Sequence, residues 1–158
     1  MARAGFKVRL VTTGIKDALM SLRGISDRAK DLRPLWPKIA DDWARMNKVT
    51  FQRDGASPGW GPWEPISPRW AKWKSTHGFD SAVLRQTGTL KNSLNNRSDG
   101  NFLFKPMKQN VELGTNVSYA SFHQEGRGVI KREPVREDSE AQRRWAEIIE
   151  YYVVDGMT

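Results

Sequence analysis

The chain has 158 residues, 38% of them hydrophobic, with seven Trp and six Phe, apolar volume enough for one domain with its own core. It carries a formal charge of +8 and no cysteine, which excludes disulfide frameworks, thiolate nucleophiles and zinc sites built on Cys. The two histidines, His77 and His123, lack metal-ligand spacing, and no eighteen-residue apolar run or apolar signal core is present. No metal, cofactor or membrane partner is therefore expected, and the protein should stay in the cytoplasm where it is made.

Phe6 to Val11 alternates apolar and basic side chains, which predicts a strand with Phe6, Val8 and Leu10 on one face. Ile15, Ala18, Leu19, Leu22, Ile25, Ala29 and Leu32 then recur at three- and four-residue steps, the pattern of a helix with one buried stripe. Pro34 and Pro37 each remove a backbone donor, so a kink or split is expected near Pro34, with Asp31 as N-cap of the second segment. Trp36, Ile39, Ala40, Trp43 and Met46 carry the helical spacing to about residue 50, and the two Trp argue for packing between this helix and a sheet.

Residues 54–68 are dense in Gly and Pro and read as a loop. Ser67 and Pro68 suit the N-cap and first position of a short helix that sets Trp70 and Trp73 on one side, flanked by Arg69, Lys72 and Lys74. Trp interleaved with basic residues can stack unpaired bases beside a phosphate groove. The simpler reading is that Trp60, Trp63, Trp70 and Trp73 anchor the loop on its own domain or plug a neighbouring subunit.

Thr87 can cap a helix of two or three turns whose Leu90 and Leu94 face inward, and the Thr-Gly pair lacks the rest of a P-loop. Phe102 to Lys105 and Asn110 to Gly114 read as strands of an antiparallel hairpin. Tyr119 to Gln124 reads as one or two helical turns stopped by Gly126, with Tyr119 and Phe122 packed and Gln124 bonded to loop backbone. His123 near Glu125 invites a general-base, hydrolase assignment, but no nucleophile accompanies it and the structural reading is preferred. Residues 126–137 look like an exposed arm or edge strand, and Ser139 to Val154 is a helix with Trp145, Ile148, Ile149, Tyr152 and Val153 on one face and Asp138 or Ser139 as N-cap.

Four signatures occur in fixed order: Trp63-Glu64-Pro65-Ile66-Ser67-Pro68, Leu84 to Ser93 as L-x-x-T-G-x-L-x-x-S, Val111-Glu112-Leu113-Gly114-Thr115, and Tyr119 to Gly126 as Y-A-x-x-H-Q-x-G. This order resembles the phage virion morphogenesis (tail completion) family, over roughly residues 54–135. The resemblance implies a single α+β domain over residues 1–158. A small antiparallel sheet would be packed by a long N-terminal helix, kinked or split near Pro34, and a C-terminal helix, with a loop at 54–68 and an arm at 126–137.

It also implies a non-enzymatic virion part that forms a ring of six copies at the head–tail junction, meeting connector, tail-terminator or tail-tube proteins and DNA passing through the lumen. The family's arm often reads I-P-x-R-P-[FL]; here Ile130 and Pro134 fit, while Arg132 and Arg136 stand out of register. Expected contact residues are Trp60, Trp63, Trp70, Trp73, Arg127, Ile130, Arg132, Pro134 and Arg136, and replacing Trp60 and Trp63 together by Ala should abolish oligomers with secondary structure intact. The alternative is a DNA-binding or DNA-packaging accessory protein, because residues 1–100 carry eighteen Lys/Arg against nine Asp/Glu.

Overall fold

The computed structural model describes residues 6–11, 23–136 and 138–156. The helical stripe expected from Ile15 to Leu22 lies outside the described residues, as do the side chains of Phe6, Val8 and Leu10. The architecture is α+β, a three-stranded antiparallel sheet covered by helices.

Strand β1 (Phe6–Val11) and the hairpin strand β2 (Phe102–Pro106) both pair with β3 (Asn110–Thr115), so the strand order is β1-β3-β2. The register sets Phe102 opposite Thr115 and Phe104 opposite Leu113, on the face where Val111, Leu113 and Thr115 are buried. On the other face Glu112 meets Lys7 at 3.6 Å.

Helix α1 (Arg23–Lys30) is followed by a 3-10 turn (Arg33–Leu35) and by α2 (Trp36–Gln52). The helix is split, because Pro34 and Pro37 supply no donors and are tolerated only at the starts of these two segments. Asp31 is not the N-cap of α2: its carboxylate lies one turn too early and accepts instead from the backbone N–H of Arg33 at 3.1 Å. The Arg33 guanidinium binds the same carboxylate and holds Asp31 at a pKa of about 2.

Trp36, Ile39, Ala40 and Trp43 form the wholly buried stripe of α2. Trp43 packs edge-on against Phe102 at 5.6 Å, and the Trp36 indole donates to the carbonyl of Met107 in the hairpin turn. These two indoles fix the helix to the sheet, one by area and one by a satisfied N–H.

After the loop come α3 (Pro68–Thr76), α4 (Thr89–Asn95), α5 (Ala120–Glu125) and α6 (Ser139–Asp155). Ser67 caps α3, accepting from Trp70 N–H at 3.3 Å. The N-cap of α4 is Gly88 rather than Thr87, since the chain enters the helix through a left-handed residue, φ 78°. Leu90 and Leu94 are buried.

Asp138 caps α6 by accepting from the backbone N–H groups of Glu140 and Ala141. At the other end the Arg28 guanidinium donates to the carbonyls of Val153 and Val154 at 2.8 and 2.6 Å, joining α1 to the C-terminus of α6. Trp145, Ile149 and Val153 are buried, and the Trp145 indole donates to Asp42 of α2 at 2.8 Å. No helix among the described residues is long and apolar enough to cross a membrane.

Candidate functional site

The loop and the arm, distant in sequence, form one unit. Trp63 is buried, lies edge-on to Phe51 at 5.1 Å, and its indole donates to the carbonyl of Glu133 in the arm at 2.8 Å. Gly55, at φ 95°, passes so close that a Cβ there would stand 2.5 Å from the Trp63 ring. In return Arg132 donates to the carbonyls of Glu64 and Pro65 at 2.6 and 3.0 Å. Arg136 donates to those of Gly55 and Gly61 and lies over the Trp60 ring at 5.2 Å.

The C-terminal half of the arm is thus a strap rather than a free arm or edge strand. Loops rich in Gly and Pro leave carbonyls without partners, and two arginines and one indole satisfy this set. Gln124 completes the fastening as expected, donating to the Val135 carbonyl at 2.9 Å and accepting from the Val135 N–H at 3.3 Å.

Between α3, the Thr87–Leu90 turn, α5 and the first half of the arm runs an apolar groove of about 630 Å³. Trp70, Tyr119, Phe122, Val129 and Ile130 stand around it and are 40–47% exposed. Tyr119 and Phe122, expected to pack inside, therefore face outward: a helix of six residues buries one side only, and Ala120 and Ser121 occupy that side. Scattered apolar side chains are ordinary on a surface, whereas five around one concavity mark an interaction site.

The lining of the groove holds two cations, Lys74 and Arg132, and no carboxylate. Lys74 does not flank the Trp pair in solvent; it is buried, donates to the Ala82 carbonyl at 2.8 Å, and burial pushes its pKa down. Burial and then the charge of Arg132 push His123 below the ordinary imidazole value, which favours the neutral ring. Glu125 pairs with Arg127 at 2.7 Å and does not orient His123. Among the described residues no cluster of three His, Asp or Glu could hold a metal ion.

Trp70 and Trp73 stack on each other at 4.6 Å with 3° between their planes, and Trp73 also stacks on His77 at 4.3 Å and Phe79 at 5.8 Å. The ladder uses its own faces, which leaves little room for a base beside Trp73.

The signature segments meet inside the fold. The Thr115 hydroxyl, ending V-x-L-G-T, donates to Ser93, ending L-x-x-S, at 2.7 Å, both side chains fully buried. Residues 10–149 match the phage virion morphogenesis family. The chain belongs to that family. No curated protein and no solved structure matches it.

Family membership makes this a bacteriophage virion morphogenesis protein, of a structural rather than enzymatic family, and it gives the signatures a physical meaning. Trp63 and Gln124 fasten the strap, Gly88 turns the chain into α4 at the groove, Ser93 and Thr115 join α4 to β3, and Gly126 ends α5. Of the nine expected contact residues, Trp60, Trp70, Trp73, Arg127 and Ile130 stand exposed, while Trp63, Arg132 and Pro134 are buried within the chain and Arg136 is half-buried. Loop composition carries no periodicity from which Trp63 and Trp60 could be told apart. Replacing Trp63 together with Trp60 would therefore open the core as well as alter the surface.

Proposed function

We propose that this virion morphogenesis protein is a tail-completion or neck component that associates with copies of itself into a ring and enables head–tail joining. The observation that carries this reading is the apolar groove of Trp70, Tyr119, Phe122, Val129 and Ile130, exposed on a single chain of a virion assembly family. Burying it against a neighbouring chain removes apolar area from water at roughly 25 cal/mol per Å². The action is geometric: a component that is complete only in company lets the next part dock on a finished assembly. The head–tail junction as the place, and neck, connector or tail proteins as neighbours, belong to this reading, as does contact with DNA in the lumen.

The test is the solution mass by light scattering, alone and after co-expression with neck or tail neighbours. A ring-sized species or a stoichiometric co-complex is the expected result. A chain that stays monomeric under both conditions and instead binds DNA with a steep loss of affinity in salt would replace this reading with the accessory-protein one.

A further inference from the structure

Helix α3 has two working sides. Trp70 and Lys74 line the groove, while Arg69, Lys72, Trp73 and Thr76 stand exposed at positions i, i+3, i+4 and i+7 of a neighbouring stripe. Arg69 and Lys72 enter no ion pair among the described residues. Trp73 is stacked on Trp70, His77 and Phe79 and still leaves 38% of its surface exposed. An indole already held by stacking loses little freedom when a partner covers it.

The outward side of α6 carries the opposite charge. Trp145, Ile149 and Val153 turn inward, and Glu147, Glu150 and Val154 stand exposed on the other side. The two carboxylates likewise enter no ion pair among the described residues. Arg69, Lys72 and Thr76 recur at i, i+3 and i+7, and Glu147, Glu150 and Val154 recur at the same steps. Laid side by side in parallel, the helices put each cation on a carboxylate and set Val154 against Trp73 and the Thr76 methyl. Arg143, one turn earlier on α6, then falls before Pro68, where α3 begins.

We infer that the Arg69, Lys72, Trp73 stripe of one copy receives the Glu147, Glu150, Val154 stripe of the next copy. Exposed ion pairs contribute little energy, so here they select the neighbour and fix the register, while Trp73 and the groove beside it supply the apolar burial. A polyanion would match the two cations alone, whereas this stripe matches the cations and the apolar surface beside them. The two patches belong to different elements, since α6 packs on α1, the 3-10 turn and α2, and α3 walls the groove. The contact is therefore heterologous and repeats from copy to copy, the geometry that generates a ring when its rotation closes. The inference rests on the self-assembly proposed above and names surfaces that perform it.

Charge reversal tests it, with Arg69→Glu and Lys72→Glu in one double variant and Glu147→Lys and Glu150→Lys in another. Each alone should self-associate at least about tenfold more weakly by light scattering in low salt, because both pairs become repulsive. Mixed one to one, the variants should assemble again: around alternate copies, reversed α3 meets reversed α6 and parental α3 meets parental α6. That rescue also proves both variants folded. Should either lose helix by circular dichroism, the single reversals Lys72→Glu and Glu150→Lys carry the same test.

Folded variants that assemble alone as the parent does would overturn this contact while leaving self-assembly through another face standing. So would folded variants that fail alone and stay apart when mixed, even where the α3 variant has also lost affinity for duplex DNA. A parent chain that stays monomeric alone and with its neighbours would overturn both this contact and the self-assembly it rests on.

Discussion

Trp60 and Trp63 sit three residues apart in one loop and have opposite fates. Trp63 fills the core against Phe51 and gives its N–H to the Glu133 carbonyl, while Trp60 lies on the surface under Arg136. Trp63→Ala should cost about 3–5 kcal/mol as a large-to-small core change. Trp60→Ala should cost about 0.5–1 kcal/mol, the value of an exposed cation–π contact. Urea denaturation of the two variants compares them directly, and equal midpoints would refute the assignment. Gly55 depends on the same ring: a Cβ would enter the indole, and φ 95° strains any L side chain. Gly55→Ala should therefore destabilise by about 2–4 kcal/mol, strain and overpacking together, in the same urea assay.

The elements are held at their junctions by charged groups bonded to buried partners. Asp42 of α2 is buried and accepts from Trp145 at 2.8 Å and Arg144 at 3.2 Å, as well as from Arg45. Burial alone would raise its pKa; the hydrogen bonds of Arg45 and Trp145 and the charge of Arg144 outweigh it, and the carboxyl lies below its ordinary value of 3.8. A depressed acid contributes stability that is fully present above the unfolded value and is lost as pH falls through the folded one. The stability gap between the parent chain and Asp42→Asn should thus be constant near neutrality and shrink below about pH 4. A gap unchanged down to pH 2.5 would mean the charge of Asp42 does not tie α2 to α6. For the strap, Arg132→Ala should leave the helices intact by circular dichroism yet speed amide exchange across residues 54–68, because the carbonyls of Glu64 and Pro65 lose their donor. Unchanged protection there would show that Arg132 is not the fastening.

For the molecule as a whole, the charge of +8 and the apolar groove pull the functional reading in different directions. Charge spread over helix faces raises encounter rates with any polyanion, whereas a shaped apolar trough selects a protein partner. Short duplex DNA should accordingly bind weakly, without sequence preference, and be released by moderate salt, while the ring-sized species persists in the same buffer. A filter-binding titration beside a sedimentation run measures both, and assemblies that dissolve with the DNA signal would assign the association to charge instead of the groove.

Local and periodic features were legible without coordinates. The 3.6-residue spacing in α2 and α6, the proline break, the Ser67 and Asp138 caps, the hairpin, the stop at Gly126 and the Gln124 bond to loop backbone all follow from what neighbouring residues can do to one another. The order of the signatures carried the family. What only the tertiary structure decided depends on residues far apart in the chain. Trp63 and Glu133 are seventy positions apart, Arg132 and Glu64 sixty-eight, and Ser93 and Thr115 twenty-two. No periodicity spans such separations, so the burial of Trp63 and Arg132, the exposure of Tyr119 and Phe122, and the groove itself emerge only when the chain closes on itself, brings these distant partners into contact and leaves α5 one side to bury.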